Sequence, residues 1–210
     1  MTTELLIENL HRASSSQELL LATRQLASCG AEAAAPALVE VLGFNNPGAA
    51  VAAVEGLIGL GQAAVPPLLQ LDPENYGARA WAVRALAGIG DVRGLDLLVD
   101  ALGTDVAASV RRAAARGLGN LLLDGLEPTQ RQAVLERCLQ ALLAATSDGE
   151  WVVRYAVAVG LESLAPALEP DGASLVHLHQ GLVALTQAED ANPPVVSLRA
   201  RLALTRLGQP

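Results

Sequence analysis

Leu57-Ile58-Gly59-Leu60-Gly61-Gln62-Ala63-Ala64-Val65-Pro66-Pro67 is the stretch that decides the fold. An apolar run ends on Gly61, and two prolines open the next apolar run. Glycine just past a helix can close it, because it takes a left-handed backbone without steric cost. Proline suits a first helical turn, where its missing N–H would have no partner anyway. The stretch therefore reads as helix, turn, helix. The same punctuation recurs at Gly30, Gly61, Gly90 and Gly119, at intervals of 31, 29 and 29 residues, and Pro36 opens a second helix as Pro66 does. Leu26, Leu57, Leu86 and Ala115 stand four residues before these glycines. Each glycine is read as the turn between two antiparallel helices.

Five helix pairs follow: 17–29 with 33–43, 47–60 with 63–71, 76–89 with 92–102, 106–121 with 128–145, and 149–165 with 172–189. A helix at 194–207 closes the chain. Asn45–Pro47, Asp72–Pro73 and Asn192–Pro194 punctuate the links between pairs. Repeats of this length with two helices each predict an all-α fold, an α-solenoid of HEAT/armadillo-like helix pairs in an alpha-alpha superhelix. One Ala/Leu pair cannot bury its own apolar face, whereas stacked pairs share a core. Residues 1–210 are accordingly read as a single repeat domain. Val110–Arg111, Val153–Arg154 and Leu198–Arg199 suit the HEAT pattern, in which an arginine of the first helix bonds across the repeat.

Composition agrees and narrows the function. Of 210 residues, 51% are apolar but only 2% aromatic, which disfavours a β-sandwich or barrel. Lysine is absent, and 14 arginines stand against 22 acidic residues for a net charge of -8. That balance does not favour a general nucleic-acid binder, whose footprint is basic. Charges, Gly and Pro interrupt every apolar run, so no membrane span is expected. Glu4 and Glu8 near the start argue against a secretory signal, and a cytoplasmic location is expected. Metal and nucleophile chemistry find no support. His177 and His179 are two apart and cannot share a helix face, and His11 is isolated. Cys29, just before a turn glycine, is expected to be buried and inert; Cys138 lies inside a leucine-rich helix, and neither cysteine is expected to carry chemistry.

Scarce residue types concentrate on three first helices. Tyr76, Arg79, Trp81 and Arg84 open the third pair. Arg111, Arg112 and Arg116 lie on the fourth, with Arg112 and Arg116 one turn apart. Trp151, Arg154 and Tyr155 open the fifth. Aligned along a solenoid ridge they would form a stripe suited to a flat, conjugated ligand bearing carboxylates. Arginine forks pair with carboxylates, and rings stack on aromatic side chains. The competing reading makes the tryptophans core fillers and the arginines braces between helices. Asp96 and Asp100 share a face of the next helix and are candidate carboxylates toward ligand N–H groups. Asp91 and Asp105 stand at helix starts, where capping explains them.

Asn75-Tyr76-Gly77-Ala78-Arg79-Ala80-Trp81-Ala82-Val83-Arg84 through Asp91 resembles the smaller, F-type (beta) subunits of the heterodimeric phycocyanobilin lyases. So do Phe44 to Gly61, Ser109-Val110-Arg111-Arg112 through Gly119, and Trp151-Val152-Val153-Arg154-Tyr155 through Leu161. The likeness spans about residues 5–165. It departs at Asn120–Asp124 and at Val106, where the family pattern is aromatic. The resemblance implies a larger E-type (alpha) partner subunit. It also implies a linear tetrapyrrole, phycocyanobilin or a related bilin, bound as substrate and not as a prosthetic group. The acceptor would be a cysteine of the phycocyanin alpha subunit, in a phycobilisome-containing cell such as a cyanobacterium. Arginines would pair with the two propionates, and Asp96 or Asp100 would keep the bilin protonated and electrophilic. Other functions open to this chain are a phycobilisome-degradation or chromophore-detachment protein and a non-enzymatic helical adaptor.

Overall fold

Short polar caps set where the helices begin. The Thr2 hydroxyl accepts the Leu5 N–H at 3.4 Å and starts α1 (Thr3–Arg12). Ser15 accepts the Glu18 N–H at 3.2 Å, while Glu18 reaches back to the Ser14 N–H at 2.8 Å, starting α2 (Ser16–Ser28). Asn46 and Asn75 accept the Ala49 and Ala78 N–H groups at 3.1 Å, starting α4 (Pro47–Leu60) and α6 (Tyr76–Ile89). Such caps satisfy donors that a helix leaves unpaired. Pro36 and Pro66 sit in the first turns of α3 (Ala35–Val41) and α5 (Val65–Leu69).

The structure, a computed structural model, describes residues 1–72, 74–170, 172–187 and 193–208. The expected punctuation at Pro73 and Asn192, and the expected helix end at 188–189, lie outside the described residues. After α6 come α7 (Leu95–Thr104), α8 (Ala108–Leu118), α9 (Pro128–Ala144), α10 (Trp151–Leu164), α11 (Ala173–Gln187) and α12 (Pro194–Arg206). No strand occurs among the described residues. The fold is all-α, built of HEAT-like helix pairs. The sequence reading places no helix before residue 17, but α1 is there, with Leu6 and Leu10 buried.

The chain divides into two compact units, residues 1–94 and 95–210, so α6 and α7, expected as one pair, belong to different units. In the first unit α2, α4 and α6 form one layer, α3 and α5 a second, and α1 packs on α2. In the second unit α8, α10 and α12 form one layer and α7, α9 and α11 the other. Leucines, with alanines and valines between them, fill each core. Leu26, Leu57 and Leu86 of one layer and Leu38 and Leu68 of the other lie in the first core, and Leu118 and Leu161 with Leu98, Leu142 and Leu178 lie in the second; all are at most 2% exposed. Each buried leucine contributes about 1.5–3 kcal/mol.

Pro47–Leu69 is apolar and long enough to cross a membrane by length and composition. Here it is α4, a 3-10 turn and α5, broken at Gly61, where φ is +60°. Gly30 and Gly90 also have positive φ, at 65° and 73°. Gly119 does not fit the turn reading. Its φ is -77°, and a Cβ there would lie 2.4 Å from the Gly160 carbonyl oxygen. It is glycine because another backbone passes close by.

Candidate functional site

Backbone proximity positions the site in the second unit. A Cβ on Gly160 would lie 2.4 Å from the Ala115 carbonyl oxygen, so α8 and α10 pass at close range. Their flanking side chains therefore share one surface.

Arginine ties the turns beside this crossing. The Arg111 Nε donates to Asp148 Oδ2 at 2.7 Å and its Nη2 to Asp148 Oδ1 at 2.9 Å. Its Nη1 donates to the carbonyls of Asp105 and Val106 at 2.8 and 3.1 Å. Arg154 donates to the Asp148 carbonyl, and Arg199 and Arg206 both pair with Glu162. Burial pushes the Asp148 carboxyl up, but the Arg111 bonds, the Glu150 N–H and the Arg111 and Arg154 charges together hold it below the usual carboxylate range. Glu162 is lowered in the same way, with Arg199 and Arg206 outweighing burial. The bond to Asp148 raises Arg111. Arg111 and Arg154 thus serve as braces between helices and turns.

The neighbouring Arg112 differs. It is exposed and, among the described residues, makes no ion pair or side-chain hydrogen bond. With Trp151, Val152, Tyr155 and Val195 it lines a surface cleft of about 290 Å³. Trp151 is 44% exposed and Tyr155 half-buried. Arg116 follows one turn later on the same exposed face of α8. In the first unit, the Arg84 guanidinium lies 4.6 Å from the Trp81 ring centre. Arg79 and Trp81 are half-buried and Tyr76 is exposed. Neither tryptophan fills a core.

The carboxylates separate as well. Asp96 is exposed on α7 and pairs with Arg137 at 2.7 Å. Asp100 is exposed and accepts the Thr104 hydroxyl at 3.3 Å. Asp91 and Asp105 are buried. Asp91 accepts the Arg93 N–H at 2.9 Å in the first turn of the short 3-10 helix Val92–Gly94, as expected of a cap. Asp105 instead accepts the Ala107 N–H at 2.9 Å, one residue before α8, whose start carries no side-chain cap bond, so the expected capping is not found there. Asp91 also pairs with the Arg93 side chain, which lowers its carboxyl against the cost of burial. No group of three metal-ligating side chains occurs among the described residues. Burial pushes the Cys138 thiol up to about 12, whereas Cys29 is exposed, contrary to its expected burial. Cys29 ends its helix on the solvent side of the turn.

Residues 62–119 match the HEAT repeats family. The chain is 50% identical over 207 residues to the bilin biosynthesis protein RpcF of Synechococcus sp. (strain WH8020), covering 97% of this chain and 95% of that protein. It is 47% identical over 207 residues to the phycocyanobilin lyase subunit beta of Pseudanabaena tenuis (strain PCC 7409), covering 96% and 71%. A solved structure, the complex of CpcE and CpcF of phycocyanin lyase from Nostoc sp. PCC7120, matches at TM-score 0.69 and 46% identity, over 81% of this chain and 98% of that one. The chain belongs to the F-type (beta) subunits of the bilin lyases.

In this bilin lyase subunit, sequence reasoning missed Asp148 as the hub of the braces, and Val152 and Val195 as apolar walls of the cleft. A signal for the hub was present. Asp105 precedes Arg111 by six residues and Asp148 precedes Arg154 by six, and each arginine bonds the backbone carbonyl of its aspartate. Nothing in local spacing brings Val195, on α12, to the cleft.

Proposed function

We propose that this chain is the beta subunit of a heterodimeric lyase that attaches phycocyanobilin through a thioether to a cysteine of the phycocyanin alpha subunit, acting with a larger E-type partner in the cytoplasm of a cyanobacterium. What carries the reading is the 50% identity to RpcF along 95% of that protein. The exposed Arg112 beside two aromatic rings supports it. In the reaction the acceptor thiol adds across the ethylidene double bond of a terminal pyrrole ring. A C–S bond forms, the thiol hydrogen ends on the tetrapyrrole, and no oxidant or leaving group is needed. The nucleophile comes with the acceptor, so the lyase has to bind, orient and exclude water. Asp96 and Asp100 are the carboxylates we assign to the pyrrole N–H groups.

Co-expression with the E-type partner and phycocyanin alpha in a phycocyanobilin-producing host tests this. Zinc-enhanced fluorescence of the denatured acceptor should report a covalent bilin that depends on this chain. Adduct yield equal to that without this chain would sink the function. Asp96→Asn with Asp100→Asn should lower the yield without altering helicity.

A further inference from the structure

We infer that the cleft between Arg112, Trp151 and Tyr155 receives one carboxylate-bearing pyrrole ring of the tetrapyrrole, with the Arg112 fork on the propionate and the ring against the two aromatic side chains. The inference rests on the bilin lyase reading above and assigns a part of the substrate to a place.

Arg112 differs from its neighbours in being uncommitted. Arg111, one residue earlier, spends its fork on Asp148 and its remaining donors on two carbonyls. Arg199 is only 10% exposed in its side chain and bound to Glu162. Arg112 keeps its donors toward solvent at the mouth of an aromatic cleft. A planar guanidinium pairs with a carboxylate through two parallel bonds, a geometry lysine cannot offer.

Size limits what the cleft holds. About 290 Å³ lies just below the range that encloses a whole drug-sized ligand, roughly 300–1,000 Å³. A chain of four linked rings does not fit, but one ring with its side chain does. Val152 and Val195 supply the apolar wall such a ring needs. The site is also held in shape. Arg111 clamps the turn that ends at Glu150, and Trp151 is the next residue, so one brace fixes the distance between Arg112 and Trp151. A cleft fixed beforehand avoids the entropy of ordering its walls on binding.

The test uses the heterodimer with its E-type partner and two probes, phycocyanobilin and its dimethyl ester, in which both carboxylates are neutral. Binding is read from the absorbance change. Arg112→Ala should weaken the free acid roughly tenfold or more, the loss of a charge-assisted pair, and leave the ester within about twofold. Arg112→Lys, which keeps charge and fold but not the fork, should show a smaller loss confined to the free acid. Equal weakening of both probes by either variant, or of neither, overturns the inference. If the wild-type pair forms adduct while the variants bind both probes normally, only the cleft assignment fails. If the wild-type pair forms no adduct, the function fails and the inference with it.

Discussion

In residues 1–94 the turns after α2, α4 and α6 close on glycines with positive φ, at Gly30, Gly61 and Gly90. The Arg12–Glu8 ion pair and the His11–Glu40 hydrogen bond lie on the surface, and an arginine fork, Arg93 on the buried Asp91, sits beside the last of these turns. In residues 95–210 the equivalent glycine, Gly119, is right-handed, a positive φ appears instead at Gly125 in the longer α8–α9 connection, and two braces, Arg111–Asp148 and Arg199–Glu162, are largely buried. The two units thus use the same two fastenings in different proportion. Backbone freedom at glycine closes most turns of the first unit, with an arginine fork beside Gly90. Arginine forks fix side chains as well as backbone in the second, and the exposed Arg112 and Trp151 stand beside one of those forks.

Breaking a fork should have the largest effect. Asp148→Ala leaves Arg111 buried without its carboxylate and should cost about 3–5 kcal/mol by urea denaturation. Glu40→Ala in the first unit removes a surface pair and should cost no more than about 1 kcal/mol. Equal losses would erase the contrast. The glycines come next. Gly119→Ala drives a Cβ into the Gly160 backbone, which cannot yield as a side chain can, and should cost about 3 kcal/mol. Gly30→Ala meets nothing within 4 Å and pays only for its left-handed backbone, about 1 kcal/mol.

Acid sharpens the comparison further. Asp148 and Glu162 are lowered in the second unit, where burial is outweighed by arginine, and Asp91 and the exposed Glu18 in the first. A carboxylate lowered by folding contributes stability that is fully present above its ordinary value, about 4, and is lost as pH falls through the lower folded value. Thermal stability should therefore be flat from pH 7 to about 5 and decline below about 4. Hydrogen exchange should show the α9–α10 turn losing protection before the Gly61 turn. Stability that rises as pH falls below 4 would contradict the sign. Cysteine replacement should matter least. Cys29→Ser should change stability by under about 0.5 kcal/mol. A thiol reagent should label Cys29 in the folded protein and reach Cys138 only on unfolding.

These contrasts show where sequence reading reaches its limit. Gly and Pro placed the helices from α2 to α12 because both act through local backbone geometry. α1 was missed although Leu6 and Leu10 are spaced for one face, since no glycine or proline marks it. Gly119 was misread because spacing cannot tell a glycine that turns from one that lets another backbone pass. The site was legible as a set of residue types but not as an arrangement. Arg111 and Arg112 are adjacent and identical, and a helix turns them about 100° apart. Which of them meets Asp148, 37 residues away, is decided by packing.

Asp148 serves two helices through different atoms, its carboxylate holding Arg111 of α8 and its carbonyl holding Arg154 of α10. Loop length is elsewhere a cheap variable in evolution, because surface connections accept insertions. The α9–α10 connection lacks that freedom. One added residue between Thr146 and Trp151 would move carboxylate and carbonyl out of register with two arginines at once. Change around the cleft is therefore channelled into its exposed side chains, position by position, on a frame of fixed length.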